Sequence, residues 1–558
     1  MTESAADRIW RGGWRGPLFA ALVALAAALP GLLTMPVLDR DEARFAQATA
    51  QMLETRDPVS INFQDEPRAK KPVGIYWLQS LSVAAVSAVE RREIWAWRLP
   101  SLLGAMAAAA ACAWGAAAFL GPRGGAIAGS ILGASLLLST EAFIAKTDAA
   151  LCGVVTLMMA ALARIYASSR GEAVARKGTK ALFWLGLALS ILLKGPIGPM
   201  IAGLTIAALW IWDRRAPWLA QLGWTWGIAL VLLVVGPWAL AVTVATDGAF
   251  WTGAVMGDMV SKLGSGQEGH GGPPGLHALL APLLLFPATA LLPAGLVHAW
   301  KARDRTQVRF ALCWLVPAWI VFELTPTKLP HYPLPLYGAL AWLIADALVE
   351  PIGRVSRIIG AGLGGLAACV LAAVGLVLAF RFGAAASLAW ASVAAVLLVG
   401  AAVSAAVLVL FRRSSVPILA TTMVLGVLAH GAIAAGLAPT LQPLWVSSRV
   451  AEAVRQANLD PRNGVIPGPI TVAGYAEPSL VFLLGTRTEL GDADAAAVAI
   501  ADGRPAIVEA GEQPEFLKAL KEEEARAAPA GEVKGINYSK GKPVDLILYR
   551  SLESGGAP

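Results

Sequence analysis

Charge is what this sequence has least of. Only 15% of its 558 residues are Asp, Glu, Lys or Arg, against 57% apolar, where an ordinary soluble domain carries roughly a quarter charged residues. That shortage excludes a water-soluble globule, a disordered chain, a collagen and a coiled coil. Cysteine is scarce too. The four residues Cys112, Cys152, Cys313 and Cys369 all fall inside apolar runs, so neither a disulfide framework nor a thiolate metal site is implied. Internal repeats are absent. No small-x-small cleavage site follows the first apolar run, which therefore reads as an anchored span. The net charge of +7 is no sign of nucleic acid, because basic residues in such chains mostly anchor cytoplasmic loops.

What remains is hydrophobic. Mean hydropathy is +0.62, and a bilayer is crossed by about 20 apolar residues. Thirteen apolar runs stand at 18–37, 98–120, 124–143, 147–167, 181–193, 196–212, 219–246, 276–299, 308–325, 333–349, 358–380, 385–411 and 416–437. Thirteen spans with the N-terminus inside gather Arg170, Arg176, Lys177, Arg214, Arg215, Arg303, Arg305, Arg412 and Arg413 in cytoplasmic loops. They leave Lys146, Lys194, Lys262, Lys328 and Arg381 outside. Counting 73–89 as a further span reverses that distribution, so the segment reads as a helix lying at the interface. The chain thus divides into a transmembrane part, 1–438, and a small α/β domain, 439–558, outside the cytoplasm. Strand-like runs at 470–473, 506–509 and 544–549 and helix-like ones at 447–456 and 515–525 mark that domain. Two outer loops are long: 38–97, and the glycine-rich 247–275.

Ionisable residues beside a membrane are costly and point to function, and here they cluster on the outer face. Directly after the first span comes Asp39-Arg40-Asp41-Glu42-Ala-Arg44-Phe45. Phe45, Ala46, Thr49, Met52 and Leu53 fall on one helical face, with Arg44, Gln47, Gln51 and Glu54 on the other. The pattern predicts an amphipathic helix on the membrane surface. Asp39 and Glu42 have capping-box spacing, which assigns Asp39 to a structural cap and leaves Asp41 for chemistry. Further on, Lys70-Lys71-Pro72-Val-Gly74-Ile-Tyr76-Trp77 offers cations for a lipid-linked phosphate and rings at headgroup depth. Plain interfacial anchoring is the competing explanation for any one of these elements.

Taken together, these elements resemble the GT-C glycosyltransferases, in particular the ArnT-like lipid A aminoarabinose transferases and the related protein O-mannosyltransferases. The likeness runs in order from Asp39 to Tyr332. Arg98-Leu-Pro-Ser101 is similar to the start of the family's second span, and Asp148 to its second acidic position. Leu-Lys194-Gly-Pro and Lys328-Leu-Pro-His331-Tyr332 match two further loop motifs. The resemblance implies a helical membrane protein with a small outer α/β domain, set in a bacterial inner membrane with its site facing the periplasm. It implies transfer of a sugar from a polyprenyl phosphate carrier, with inversion, to lipid A, another glycolipid or a protein. Asp41 then matches the catalytic carboxylate and Lys71 the phosphate-binding lysine. Arg44, Asp148, Lys194, Lys262, Lys328 and Tyr332 line the substrate cavity, with Glu42, Tyr76 and His331 beside them.

Two departures bear on a metal. The family's Glu-Lys-Pro element is Lys70-Lys71-Pro72 here, and its histidine and arginine positions in the second long loop are Met259 and Lys262. No cofactor follows from the motifs. The hard ligands on offer for a divalent metal are Asp41, Asp148, Asp258 and His270. A transporter or flippase is the alternative from another class, but paired halves with matching helix breaks are missing. A wall-polymer ligase using similar lipid carriers is the third reading.

Overall fold

The computed structural model describes residues 13–172, 174–254, 271–411, 416–464 and 467–552. Asp258, Met259, Lys262, His270, Arg412 and Arg413 lie outside the described residues. From the N-terminus the elements are α1 (Arg15–Thr34), α2 (Asp41–Thr55), β1 (Asn62–Phe63), β2 (Glu66–Pro67), α3 (Gly74–Val86), α4 (Ile94–Gly133), α5 (Leu136–Glu141) and α6 (Thr147–Ser168). They continue with α7 (Lys177–Lys194), α8 (Ile197–Asp213), α9 (Trp224–Ala245), α10 (Leu276–Leu284), α11 (Leu292–Lys301), α12 (Thr306–Leu324), α13 (Tyr337–Ala347), α14 (Arg354–Phe382), α15 (Ala385–Leu410) and α16 (Val416–Thr440).

Among the described residues eight helices are long and apolar enough to cross a membrane: α1, α4, α6, α9, α12, α14, α15 and α16. A bent pair, Leu276–Leu284 with Ala288–Lys301 at 118°, makes a ninth if it is one span. Length and composition therefore do not return thirteen crossings. The runs at 98–120 and 124–143 meet at Gly121, where φ is 71° and only glycine is comfortable: α4 is two helices joined there, and the second run continues past Gly133 into α5. The run at 276–299 is the bent pair, not a straight helix. α3, at 13 residues, is about 20 Å long and short of the ~30 Å hydrocarbon core.

Close helix packing rests on small residues. A Cβ at Gly153 of α6 would lie 2.5 Å from the Gly104 carbonyl of α4. α6 is the axle of the bundle, 83% of its apolar window being buried. Its two ends carry separate ionic clusters. At one, Asp213 binds Arg170 (2.6 Å), Arg309 (2.7 Å) and the Tyr166 hydroxyl (3.0 Å). At the other sit Lys146 and Asp148. Eighteen residues of helix separate Asp148 from Tyr166, roughly 27 Å at 1.5 Å each, close to the thickness of a bilayer's apolar core.

Beyond α16 the chain forms α17 (Val446–Gln456), β3 (Thr471–Ala473), α18 (Pro478–Leu484), β4 (Glu489–Gly491), α19 (Ala493–Ala501), β5 (Ala506–Glu509), α20 (Gln513–Glu522), β6 (Ala527–Asn537) and β7 (Lys542–Ser551). The sheet order is β4-β3-β5-β7-β6, with β4, β3 and β5 parallel and β7 and β6 antiparallel to their neighbours. The strand-like runs of the sequence appear as β3, β5 and β7. β6 had no sequence signal because Pro529 and Gly531 interrupt it. Its place at the sheet edge, with a bulge between those two residues, is where proline is tolerated.

Candidate active site

The N-terminus of α2 is held by Glu42 and not by the Asp39 cap that the sequence predicts. Arg40, with φ of 62°, stands at the cap position and makes no side-chain cap bond. Glu42 does not complete a capping box. Its carboxylate, 1% exposed, receives Arg98 Nε and Nη2 at 2.8 Å each, the Leu38 amide at 2.8 Å and the Ala145 amide at 2.7 Å. Arg98, itself fully buried, also donates to the Met35 (2.7 Å) and Pro36 (2.8 Å) carbonyls. One turn on, Ser101 donates to the Ile144 carbonyl at 2.6 Å. The Arg98–Ser101 motif thus ties the end of α1, the start of α2 and the 144–146 turn into one unit. Asp41 is left exposed in the first turn of α2, and its charge is felt by Lys146.

Asp39 is engaged elsewhere as well. It accepts a hydrogen bond from Ser479, and its amide donates to the Tyr538 hydroxyl at 2.7 Å. Burial there, helped by Glu477 and opposed by the Ser479 bond and Arg40, pushes its carboxyl up to about 6. The same α/β domain covers the polar face of α2. Gln47 donates to the Thr486 hydroxyl (2.7 Å), Arg92 bridges Glu54 (2.5 Å) and Gln47 (2.9 Å), and Phe482 packs edge-on to Trp97 at 5.2 Å. α2 is therefore enclosed between bundle and domain, not resting on a membrane surface. An amphipathic pattern cannot distinguish the two, since a protein can cover a polar face as well as water can.

Two loops and two helix ends bring five ionisable side chains together at the head of α6. Lys194, from the end of α7, lies 2.5 Å from Asp148. Lys146 lies 2.9 Å from Glu141 and 3.8 Å from Asp148. His331 stands between the acids, Nδ1 3.6 Å from Glu141 and Nε2 3.6 Å from Asp148. The Tyr332 ring lies under the Lys194 ammonium at 5.2 Å. Asp148 sits in the first turn of α6, where a carboxylate complements the helix dipole.

Lys71 reaches this region by backbone proximity. A Cβ at Gly74 would lie 2.7 Å from the Leu192 carbonyl, so the chain just after Lys71 rests against α7 two residues before Lys194. Lys71 itself is half-buried and donates to the Lys70 carbonyl at 3.0 Å, while Lys70 is exposed. Tyr76 is fully buried beside Phe45 (5.5 Å) and accepts from Arg68, so it is not a headgroup anchor. Arg44 is half-buried one turn into α2. Lys328 is buried and donates to the Thr325 carbonyl at 2.6 Å.

Sequence reasoning missed Glu141 and the partnership of Glu42 with Arg98. Glu141 was detectable as an acid inside the apolar run 124–143, where an ionisable residue is costly and points to function. Among the described residues no group of three His, Cys, Asp or Glu side chains is placed to hold a metal ion. Asp148 directs its oxygens at Lys194, Lys146 and His331. Asp258 and His270 lie outside the described residues.

A bundle whose buried acids and lysines converge at one end, capped by an α/β domain, is the architecture of GT-C membrane glycosyltransferases, and the chain has that fold. It matches the crystal structure of ArnT from Cupriavidus metallidurans bound to undecaprenyl phosphate with a TM-score of 0.76, over 97% of this chain and 98% of that one, at 19% identity. An oligosaccharyltransferase of Archaeoglobus fulgidus follows at 0.51, over 94% and 70%, at 10% identity. No family model matches. Among its sequence relatives are proteins named undecaprenyl phosphate-α-4-amino-4-deoxy-L-arabinose arabinosyl transferase. Those of Pseudomonas paraeruginosa and Aeromonas salmonicida are 29% and 28% identical over 341 and 375 residues, 60% and 66% of each chain. The match spans about 60% of the length of the first of these relatives.

Proposed function

We propose that this chain is a membrane glycosyltransferase that moves a sugar from a polyprenyl phosphate carrier to an acceptor at the outer face of a bacterial inner membrane. The acceptor is lipid A or another envelope glycolipid. The observation that carries this reading is the buried group of Lys146, Lys194, Glu141, Asp148 and His331 beside Lys71 and the exposed Asp41. A polyprenyl tail dissolves in the bilayer and leaves its phosphate at this depth. Cleavage of the bond between the sugar's anomeric carbon and phosphate oxygen sends the electron pair to the phosphate, and fixed cations in a partly dry site stabilise it. Asp41 takes the proton of a hydroxyl acceptor as general base. With a phosphate acceptor, already anionic, it supports the positive charge that builds at the anomeric carbon. The relatives' names and the undecaprenyl phosphate bound in the Cupriavidus structure support the donor class.

Mass spectrometry of lipid A from cells with and without the gene tests the reading: a difference of one sugar mass is expected, and identical envelope glycans and lipids would refute it. Lys71→Ala should weaken binding of polyprenyl phosphate by roughly 10- to 150-fold, the worth of a charge-assisted contact of about 1.5–3 kcal/mol. Lys70→Ala should do less, because Lys70 is exposed; titration of both purified variants checks the order. Orientation has its own test. The basic loops that meet at Asp213 lie at the end of α6 opposite Asp148, and the positive-inside rule places that end in the cytoplasm. A reporter active only outside the cytoplasm, fused after Pro439, should therefore be active.

A further inference from the structure

At the head of α6 two lysines, Lys146 and Lys194, balance two acids, Glu141 and Asp148, when both acids are ionised. Burial, helped by Asp148 and opposed by Lys146, pushes the Glu141 carboxyl up to about 7, so beside His331 it is a second group that can hold a proton here. His331 lies within 3.6 Å of both acids and 3.4 Å from Lys146 Nζ. Burial lowers the His331 imidazole well below its ordinary pKa. Lys146, Lys194 and His277 push the same way and Asp148 opposes them, so the resting ring is neutral.

Of the two lysines, Lys194 is the more accessible, its side chain 15% exposed against 9% for Lys146. It also stands where the Lys71 loop meets α7 through Gly74 and Leu192. A phosphate held by Lys71 enters alongside Lys194 and competes with Asp148 for its ammonium. Once Lys194 turns to the phosphate, Glu141 and Asp148 share Lys146 alone. A buried carboxylate without a cation is strongly unfavourable, and His331 already directs one ring nitrogen at each acid. We infer that His331 takes up a proton from solvent when a phosphate draws Lys194 away from Asp148, so that carrier binding is coupled to protonation of this cluster. The inference rests on the transferase reading. In it His331 is a positioning residue that acts through Asp148 and Lys194, and it need not touch the substrate.

The probe is a short-chain polyprenyl methyl phosphodiester, which carries one negative charge and does not ionise near neutral pH, so any proton exchanged belongs to the protein. Calorimetric titration of the full-length protein in buffers of different ionisation enthalpy counts those protons. At pH values between the His331 pKa of the free protein and that of the complex, wild type should take up about one proton per probe bound, and within that window its affinity should fall by roughly tenfold per pH unit. His331→Gln should bind the probe with no proton exchanged and a flat pH profile. Wild-type binding without uptake, or uptake undiminished in His331→Gln, overturns the inference and leaves the phosphate site standing. A wild type that does not bind the probe overturns both. Should the glutamine variant fail to fold, the wild-type proton count and pH profile decide alone.

Discussion

Arg98→Met should destabilise the protein by about 3–5 kcal/mol, the usual consequence of leaving one member of a buried ion pair without its partner. The expectation follows from what Arg98 touches. Both Glu42 oxygens and the Met35 and Pro36 carbonyls lose a donor at once, and the methionine that replaces it can donate to none of them. Thermal melting in detergent should show the loss, with poor accumulation in the membrane. The double variant Glu42→Leu, Arg98→Met separates stability from positioning. Replacing a whole buried ion pair by apolar side chains removes the uncompensated charge, so stability should return in part, with the Met35 and Pro36 carbonyls and the Leu38 and Ala145 amides still unpaired. Transfer should not, because the Leu38 and Ala145 amides no longer converge on one carboxylate, and the start of α2 is free to drift from the head of α6. A double variant with normal turnover would show that Glu42 and Arg98 serve the fold alone.

Asp41→Asn should lose transfer by a factor of roughly 10² to 10⁴, the usual contribution of a general base. Folding and carrier binding should be close to normal. The substitution keeps size and position in an exposed first turn, where the lost dipole contact is worth only about 0.3–1 kcal/mol. Asp39→Asn is the informative comparison, since Asp39 faces Ser479 and Tyr538 rather than Lys146. It should retain turnover. Full activity in Asp41→Asn together with an inactive Asp39→Asn would move the chemistry two residues back.

Most of the cluster at the head of α6 was legible because membrane burial makes each charged residue conspicuous. Asp148, Lys194 and His331 stand out against apolar surroundings, and with Lys71 their order along the chain carried the family resemblance. What escaped were pairings that depend on tertiary neighbours. Asp39 and Glu42 have the local spacing of a capping box, and nothing local announces an arginine 56 residues further on that claims Glu42 instead. The polar face of α2 looked solvated because Gln47 and Glu54 cannot reveal that Thr486 and Arg92 will cover them. The break at Gly121 falls between two of the apolar runs and was legible, whereas the bend after Leu284 was not, because an apolar run records hydrophobicity and not direction.

The domain that grips α2 has a consequence for how the protein is made. Tyr538 meets Asp39 across 499 residues and Ser479 meets it across 440. Contacts of such sequence separation form late, and domains tend to fold in the order they are synthesised. The membrane helices are therefore threaded while the helix bearing Asp41 still lacks half of its seat. Only when residues 527–551 have emerged can β6 and β7 pair and deliver Tyr538 and Ser539 to the Asp39–Arg40 corner. A chain interrupted late in translation would hold every spanning helix and every lysine of the site, yet leave α2 unclamped.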